Sequence, residues 1–356
     1  MSKRRPTIED VAKKSGLSVS TVSLVLNNKS NVRDQTRRRV LSVIADLNFH
    51  PYRSARGLAS RASGNIGFIL TEDHFSQSEP FYTKVFLGTE FEARNHNYYV
   101  LLTTVGPSAK EEKRIPRFLL EYNVDGVIIA GKIGTSWLDE IKARDLPVVL
   151  VDYESYRHDV STVTMDNHAG ARLAVEHLRK GGHTKIGFIA GDIRHPSIAA
   201  RFEGFREECA LQNLEVRKEW IISDQPGTGI ENGIAAAARL FKNPDQIPTA
   251  VFAANDAMAI GCMQFLKGKK MKVPGDVAVV GFDNIEAGLH VDPRLTTLNV
   301  HKEEMGAIAV RRLVEMMRSE TPAMTQTVTP VEIIVRESCG VQNGVYHVEL
   351  PRSIAH

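Results

Sequence analysis

The chain has 356 residues, of which 42% are hydrophobic and 24% are charged, and its formal net charge is +3 at pH 7. This composition is ordinary for a soluble globular protein. The basic N-terminus lacks the apolar run of a signal peptide, and no stretch approaches the roughly 20 apolar residues of a membrane-spanning helix. Cys209, Cys262 and Cys339 have neither metal-binding nor redox spacing. We therefore expect a cytoplasmic protein that has no membrane partner.

The charge is distributed unevenly along the chain. Residues 1–61 contain 13 Lys and Arg against 4 Asp and Glu, a net charge of +9. The remainder contains 32 basic and 38 acidic residues, a net charge of −6. Such asymmetry is typical of a small phosphate-binding head joined to an unrelated body.

Residues 7–27 predict two short helices joined by a tight turn. Thr7 is a good N-cap, and Asp10 completes a variant of the capping box. Gly16 supplies the backbone freedom of the turn, and Ser18 caps the second helix. That helix should bury Val22, Val25 and Leu26 and expose Val19, Ser20, Ser23 and Leu24. Because a short helix with an exposed N-terminal edge fits the DNA major groove, we interpret the stretch as a helix-turn-helix. A helical hairpin that only packs is the alternative, and the basic charge counts against it.

A third helix is predicted to begin at Asp34. Its expected core side chains are Val40, Leu41, Ile44 and Leu47. The arginines at 37–39 could form a solvated face, but we favour contact of at least one with phosphate or a dimer partner. Pro51 ends the helix. The segment after it is short enough to be a marginal helix in water, so an unstructured tether is one interpretation of residues 48–60.

From Asn65 the chain alternates between apolar runs of strand length and helical stretches. Runs at 65–70, 98–104, 126–130 and 147–151 are separated by helical stretches near 82–95, 108–121 and 136–143; further runs follow at 185–191, 220–223, 249–255 and 276–282. Continuous apolar strands indicate parallel sheets covered on both faces. The predicted fold class is α/β, with a small all-α helix-turn-helix head plus two doubly wound parallel-sheet lobes.

Three segments are expected to cross between the lobes. The segment 161–166 makes the first crossing. Residues 295–300, with the helix from Glu303, should return the chain to the first lobe, and 328–338 should end it in the second.

The stretch TIEDVAKKSGLSVSTVSLVLNNKSNVRDQTRRRVLSVIADLNFHPYRSARGLAS resembles the head of a LacI-family transcriptional regulator, and the resemblance continues to about residue 340. The body is similar to periplasmic sugar-binding proteins, whose ligands lie in the cleft between the lobes. The resemblance implies a DNA-binding head at 6–51, a hinge helix at 52–61, a body at 62–340 and a tail at 341–356. Lobe 1 would span about 62–163 plus 295–325, and lobe 2 about 164–294 plus 326–340.

The resemblance also implies how the chain contacts DNA. In this family the hinge helix folds only on operator DNA, and two such helices pair in the minor groove. A leucine that matches Leu58 wedges into the central base step. The cost of unstacking these bases is offset by a bend in the DNA that enlarges the interface. The residues that we expect to contact DNA are Thr7, Ser18, Val19, Ser20, Thr21, Ser23, Leu24, Asn27, Arg56 and Leu58.

Ligands of doubly wound lobes bind at the carboxyl ends of strands, where several Asp and Asn residues occur. For Asp192 and Asp256 we favour the role of a helix N-cap. Family members place an arginine, an aspartate and often an asparagine at the positions of Arg201, Asp283 and Asn255 to hold an effector. The predicted effector-binding residues are Phe81, Tyr82, Asp152, His195, Ser197, Arg201, Asn255 and Asp283.

Two other classes of protein are alternatives. A dehydrogenase needs G-x-G-x-x-G, but in the nearest match the third glycine, Gly233, comes one place too late. No P-loop, G-x-S-x-G or H-E-x-x-H occurs, and His177 and His183 lack neighbouring ligands for a metal. We expect no enzyme activity, cofactor or metal. A transport-type binding protein is the second alternative, against which the basic head counts.

The sequence thus predicts a homodimeric repressor of a pseudo-palindromic operator, controlled by a small-molecule effector. The tail has no leucine heptad, which favours a dimer over a tetramer. A sugar or sugar derivative is the favoured effector and a purine the alternative. Whether the effector releases the operator or recruits the protein to it is open from the sequence.

Overall fold

The structure, a computed structural model, describes residues 6–26, 29, 32–47, 49, 62–72, 81–106, 115–153, 160–341 and 344–347, the last four by their backbone. The chain divides into two compact units. The first, which we call the head, comprises residues 1–64 with 122–124, and the second, the body, comprises the rest.

The head contains helices α1 (Ile8–Ser15), α2 (Val19–Leu26) and α3 (Asp34–Leu47). The predicted capping box is confirmed, because Asp10 N donates to Thr7 Oγ1 at 3.4 Å and Thr7 N donates to Asp10 Oδ2 at 2.7 Å. Gly16 has φ +66° and ends α1 in the left-handed conformation that glycine adopts without strain.

The three helices bury one small apolar core. Its buried side chains are Val11, Ala12, Val22, Val25, Val40, Val43 and Phe49. One part of the prediction for α3 is wrong, because Leu41 is 51% exposed and Val43 is buried. Val43 follows Val40 at the spacing of one helix face, whereas the next residue along a helix points about 100° away.

The body contains alternating strands and helices, as predicted. The strands are β1 (Asn65–Thr71), β2 (Tyr99–Val105), β3 (Gly126–Ala130), β4 (Val148–Val151), β5 (Ser161–Met165), β6 (Ile186–Ile189), β7 (Ile221–Ile222), β8 (Ala250–Ala253), β9 (Ala278–Asp283), β10 (Thr296–Val300), β11 (Gln326–Thr329), β12 (Val331–Val335) and β13 (Gly344–His347). The helices are α4 (Phe81–Asn95), α5 (Arg117–Leu120), α6 (Thr135–Lys142), α7 (Asn167–Lys180), α8 (Pro196–Leu211), α9 (Ile230–Leu240), α10 (Asp256–Gly268) and α11 (Lys302–Arg318).

The strands form two sheets, one in each lobe. The sheet of the first lobe has the order β11-β5-β4-β3-β1-β2 and is parallel throughout. The sheet of the second lobe has the order β13-β12-β10-β9-β8-β6-β7. It is parallel from β7 to β10, and β12 and β13 extend it in antiparallel fashion. Strands β3, β4, β6 and β8 are buried along their whole length, as a sheet covered on both faces requires.

Two of the predicted crossings are placed one strand too early. We expected 295–300 in the first lobe, but β10 pairs with β9 and β12 in the second sheet. The chain returns only at α11, which packs against β3, β4 and β5. Similarly, β11 still pairs with β5 in the first sheet, and only β12 lies in the second. A short strand has the same apolar pattern in either sheet, so its sequence does not identify its partner.

Close helix contacts hold the first lobe together. A Cβ at Gly88 of α4 would overlap the backbone oxygen of Glu303, and a Cβ at Gly306 of α11 would overlap that of Val85. The two helices therefore pack backbone to backbone where these glycines meet.

None of the helices in the described parts of the chain is long and apolar enough to cross a membrane.

Candidate nucleic-acid interface and interlobe cavity

Helix α2 presents a mixed polar and apolar outer surface. Val19 is 42% exposed and Leu24 is 37% exposed, while Val22 and Val25 face the core. Ser20 is also exposed, and Ser23 is half-buried. The helix therefore presents its predicted outer residues, two of them from its first turn, to a partner outside the head.

Some of the residues that are predicted to contact DNA also form hydrogen bonds within the head. Ser18 Oγ accepts a hydrogen bond from Thr21 N at 3.2 Å and lies 2.8 Å from Thr21 Oγ1, which supports the predicted cap of α2. The Thr7 hydroxyl belongs to the capping box of α1. Arg37, one of the three arginines of α3, donates to the carbonyl of Lys29 at 2.7 Å. The predicted contacts Asn27, Arg56 and Leu58, and the hinge helix at 52–61, lie outside the described residues.

The predicted effector residues come together within the body. One cavity of about 570 Å³, measured with its open mouth, lies between the lobes. Its lining residues are Phe81, Tyr82, Asp152, His195, Ser197, Ile198, Arg201, Thr228, Ala254, Asn255 and Asp283. All eight predicted residues belong to this set. They come from the starts of α4 and α8 and from the ends of β4, β8 and β9, the carboxyl edges where doubly wound sheets bind ligands.

Asp152 joins the two lobes across the cavity. It follows β4 with φ +56°, a conformation that non-glycine residues rarely adopt. Its carboxylate accepts a hydrogen bond from Tyr82 of the first lobe at 2.8 Å and another from Ser197 of the second lobe at 2.9 Å. Burial, followed by the charge of Asp152, raises the pKa of the Tyr82 phenol well above 10.0, so this hydroxyl stays a donor at neutral pH.

Arg201 is held inside the second lobe by several contacts. Its Nε donates to Asn167 Oδ1 at 2.8 Å, and a terminal nitrogen donates to the carbonyl of Ala254. The other terminal nitrogen lies 3.4 Å from Asp283 Oδ1. The guanidinium carbon lies 3.7 Å from the centre of the Phe282 ring. These contacts fix the side chain in one orientation, with 5% of the residue exposed.

A second carboxylate lies behind Asp283. Asp256 is fully buried, and its oxygens accept hydrogen bonds from Thr297 Oγ1 at 2.5 Å and Ile285 N at 2.8 Å. Burial, reinforced by the charge of Asp283, raises the pKa of Asp256 from 3.8 to about 7. Lys302, at the start of α11, donates to the carbonyls of Asp283 and Val300. A lysine of the first lobe thus holds the strand end that carries Asp283.

His195 is uncharged at neutral pH, since burial lowers its pKa below 6.5. It precedes Pro196, the first residue of α8, and its ring lies edge-on to Tyr153 at 6.4 Å. Its Nδ1 is buried without a hydrogen-bond partner among the described residues. This nitrogen is therefore available to a polar ligand in the cavity.

The roles predicted for Asp192 and Asp256 as N-caps are wrong. The N-cap of α10 is Asn255, whose Oδ1 accepts from Met258 N at 2.9 Å. Asp192 lies before α8 in an ion pair with Arg194, and the N-cap position there belongs to His195. Asn255 therefore lines the cavity and caps a helix at once.

Sequence reasoning missed the supports of the cavity. Asn167, Asp256 and Lys302 hold Arg201 and Asp283 through the contacts above. In the sequence Asn167 and Asp256 look like ordinary residues at helix starts. Lys302 also lies at a helix start, where the helix dipole disfavours a positive charge, and the sequence shows no evident partner for it. Within the described ranges, no group of three His, Cys, Asp or Glu side chains could hold a metal ion, and the three cysteines are buried and free.

Comparison with known proteins matches both parts of the chain. The family model for bacterial regulatory proteins of the lacI family matches residues 7–52, and that for a periplasmic binding protein-like domain matches 175–339. Catabolite control protein A of Priestia megaterium is 31% identical over 334 residues, which cover 93% of this chain and 98% of the relative.

Two solved structures are similar over nearly the whole length. The complex of transcriptional regulator CelR with cellobiose has a TM-score of 0.71 and 29% identity, covering 94% of this chain and 100% of the other. The lac repressor dimer bound to operator and the anti-inducer ONPF has a TM-score of 0.79 and 26% identity, covering 94% and 99%. Both similarities therefore extend over the head and the two-lobed body of this chain. The chain therefore belongs to the lacI family of bacterial regulatory proteins.

Proposed function

We propose that this regulator is a dimeric repressor whose affinity for a pseudo-palindromic operator depends on a small molecule bound between its lobes. The observation that carries the proposal is the interlobe cavity, where eight residues from distant segments meet. The hydrogen bond from Ser197 to Asp152 crosses the cavity, so a ligand that contacts either residue changes how the lobes are joined.

The head would supply the DNA contacts. Its charge, the net +9 of residues 1–61, suits phosphate binding, and the exposed first turn of α2 suits a major groove. In the lac repressor structure two copies bind one operator. We extend that arrangement to this chain, with 6–51 as head, 52–61 as hinge and 62–340 as effector-binding and dimerisation domain.

The proposed effector is a sugar or sugar derivative. Carboxylates and hydroxyls on both lobes, with Phe81 and Tyr82 beside them, suit sugar hydroxyls and a ring face. The similar regulator CelR binds cellobiose, which supports this choice. A purine is the alternative, since an arginine and an aspartate also pair with ring nitrogens.

We further propose that the chain binds its small molecule without chemical turnover and acts in the cytoplasm, where its operator lies. Two findings support both points. The chain is similar to Catabolite control protein A, and its head matches the lacI-family model. A ligand can shift operator affinity only through a difference in its affinity for the two states of the lobes.

Selection from randomised duplex DNA tests the function. The full-length protein should enrich a motif of two equivalent, inverted half-sites. Binding to that motif should weaken by about tenfold or more between 50 and 200 mM salt, because phosphate contacts release counterions. A selected motif without two-fold symmetry, or binding with little salt dependence, would contradict the proposal.

A further inference from the structure

We propose that the cavity selects an uncharged, hydroxyl-rich ligand and discriminates against phosphate esters of the same sugars. This inference rests on the proposed function and concerns the chemistry of the effector. It follows from two observations. Carboxylates line the cavity, whereas the nearby cationic side chains are hydrogen-bonded to other groups of the protein.

The carboxylates are presented to the cavity. Asp152 and Asp283 line it from opposite lobes, at the ends of β4 and β9. Each oxygen of a carboxylate can accept more than one hydrogen bond, so Asp152 can accept ligand hydroxyls beside those of Tyr82 and Ser197. Two carboxylates facing each other across a cleft suit a ligand that donates hydroxyl groups from both sides.

The cations are committed to protein groups. Arg201 donates to Asn167, to the Ala254 carbonyl and to Asp283 while it stacks on a ring. Lys302 donates to two backbone carbonyls at the strand ends. His195 is neutral, because burial lowers its pKa below 6.5. Arg201 and Lys302 therefore use their donors to hold Asp283 and the strand end that carries it, and His195 adds no positive charge.

The charge balance follows from these commitments. Among the described lining residues, the acidic side chains are Asp152 and Asp283 and the basic one besides neutral His195 is Arg201, a formal net charge of −1. A phosphate group would enter a partly buried space lined by two carboxylates, where like charges repel more strongly than in water. A neutral sugar meets no such repulsion.

Calorimetry of the full chain with matched ligands tests the proposal. The probes are glucose, ribose and cellobiose, then glucose 6-phosphate and ribose 5-phosphate, and finally hypoxanthine. We expect at least one neutral sugar to bind, and phosphorylation of that sugar, or of a glucose unit of it, to weaken binding by tenfold or more. A phosphate ester that binds as tightly as its parent sugar overturns the inference, as does hypoxanthine binding or the absence of any sugar binding.

The sign of a mutational effect provides a second test. Asp283→Asn removes one presented negative charge, so affinity for the neutral sugar should fall by about tenfold while affinity for its phosphate ester should rise. Asp152→Asn, on the other lobe, should change both affinities in the same directions. Glu286→Gln, an exposed acid three residues after Asp283, is the matched control and should leave both unchanged. Equal losses for both ligands in the two cavity variants, each shown to be folded by circular dichroism, would contradict the proposal.

Failure of this inference is distinguishable from failure of the proposed function. If the DNA selection yields a symmetric operator and the ligand series contradicts the expected preference, only the inference about ligand charge falls. If no operator is selected, the regulatory function itself falls.

Discussion

Asp283 and Asn284 occupy backbone conformations that side-chain-bearing residues rarely adopt, with φ +107° and +52°. Strain of this kind costs about 1–3 kcal/mol for each residue and persists only where neighbouring contacts hold it. Here Asn284 N donates to Thr297 Oγ1 at 3.2 Å, and Thr297 in turn donates to the buried carboxylate of Asp256. Asp256 thus positions the turn that brings Asp283 into the cavity.

The raised pKa of Asp256 predicts a pH dependence of stability. Because the folded state holds a proton that the unfolded chain has released, this contribution to the free energy of unfolding is full below 3.8 and is lost as the pH rises through about 7. Asp256→Asn cannot titrate. The unfolding free energy of the parent minus that of the variant should therefore fall from pH 5 to pH 8, by at most about 1.4 kcal/mol per pH unit.

Urea unfolding of both proteins across this pH range is the measurement. Glu286→Gln, which removes an exposed acid from the segment after β9, controls for the loss of a carboxylate. A difference between parent and Asp256→Asn that is constant with pH would show that Asp256 is ionised in the folded protein throughout.

Leu24 predicts an unusual feature of the operator. It is exposed on α2 and cannot donate a hydrogen bond to guanine, but it can contact the methyl group of thymine. Leu24→Arg should change base preference at one symmetric pair of operator positions. Selection from randomised DNA with parent and variant measures this, and an unchanged motif would remove Leu24 from the set of reading residues.

At the scale of elements, helices α4 and α11 depend on two glycines. The backbones approach so closely that neither Gly88 nor Gly306 can accept a methyl group without movement of the neighbouring helix. Since α11 carries Lys302 at its start and α4 carries Phe81 and Tyr82, this packing also sets one wall of the cavity.

Gly88→Ala should therefore destabilise the body by about 1–3 kcal/mol, the usual cost of overpacking. Gly268→Ala is the matched control, because a Cβ there would meet no atom within 4 Å. At the end of α10 the same methyl group should leave stability unchanged or raise it by up to about 1 kcal/mol. Urea midpoints of the two variants provide the comparison, and equal effects would contradict the packing argument.

The sequence predicted most elements but not all of their partners. Continuous apolar runs located the strands of both sheets, since a buried parallel strand needs apolar residues on both faces. Because such runs look alike in either sheet, the sequence did not show to which sheet β10 and β11 belong, or that β12 is antiparallel. Both depend on which strands pair in the tertiary structure. Likewise, strand ends and the family resemblance located the cavity residues, whereas the role of Asp256 depends on its contacts with Thr297 and Ile285.

At the scale of the whole molecule, the two lobes share one chain that crosses between them after β5, β10 and β11. Lys302, at the start of α11, donates a hydrogen bond to the carbonyl of Asp283 in the second lobe. In the cavity, Ser197 of the second lobe donates a hydrogen bond to Asp152 of the first. Both links lie at the proposed effector site. A ligand there acts on the relation of the lobes directly, which is the change that the hinge and head would convey to DNA.

The hinge itself gives a prediction from sequence alone, since Leu58 lies outside the described residues. Leu58→Ala keeps helix propensity but removes the proposed wedge. It should weaken specific operator binding by about 1–3 kcal/mol and leave binding to random DNA nearly unchanged, because the latter depends on phosphate charge. Parallel losses on operator and random DNA would show that Leu58 packs the head rather than reading the groove.

The central claim is that occupancy of the interlobe cavity controls operator affinity. The direct test is an operator titration of the full-length protein with and without the sugar found by calorimetry, for the parent, Arg201→Ala and Arg206→Ala. Arg206 lies on the same helix in an exposed position and serves as the control. The parent and Arg206→Ala should change operator affinity by about fivefold or more on sugar binding. Arg201→Ala, shown by urea unfolding to be folded, should bind operator like the sugar-free parent and show no response. An undiminished response in Arg201→Ala, or a parent that binds the sugar without any change in operator affinity, would contradict the account.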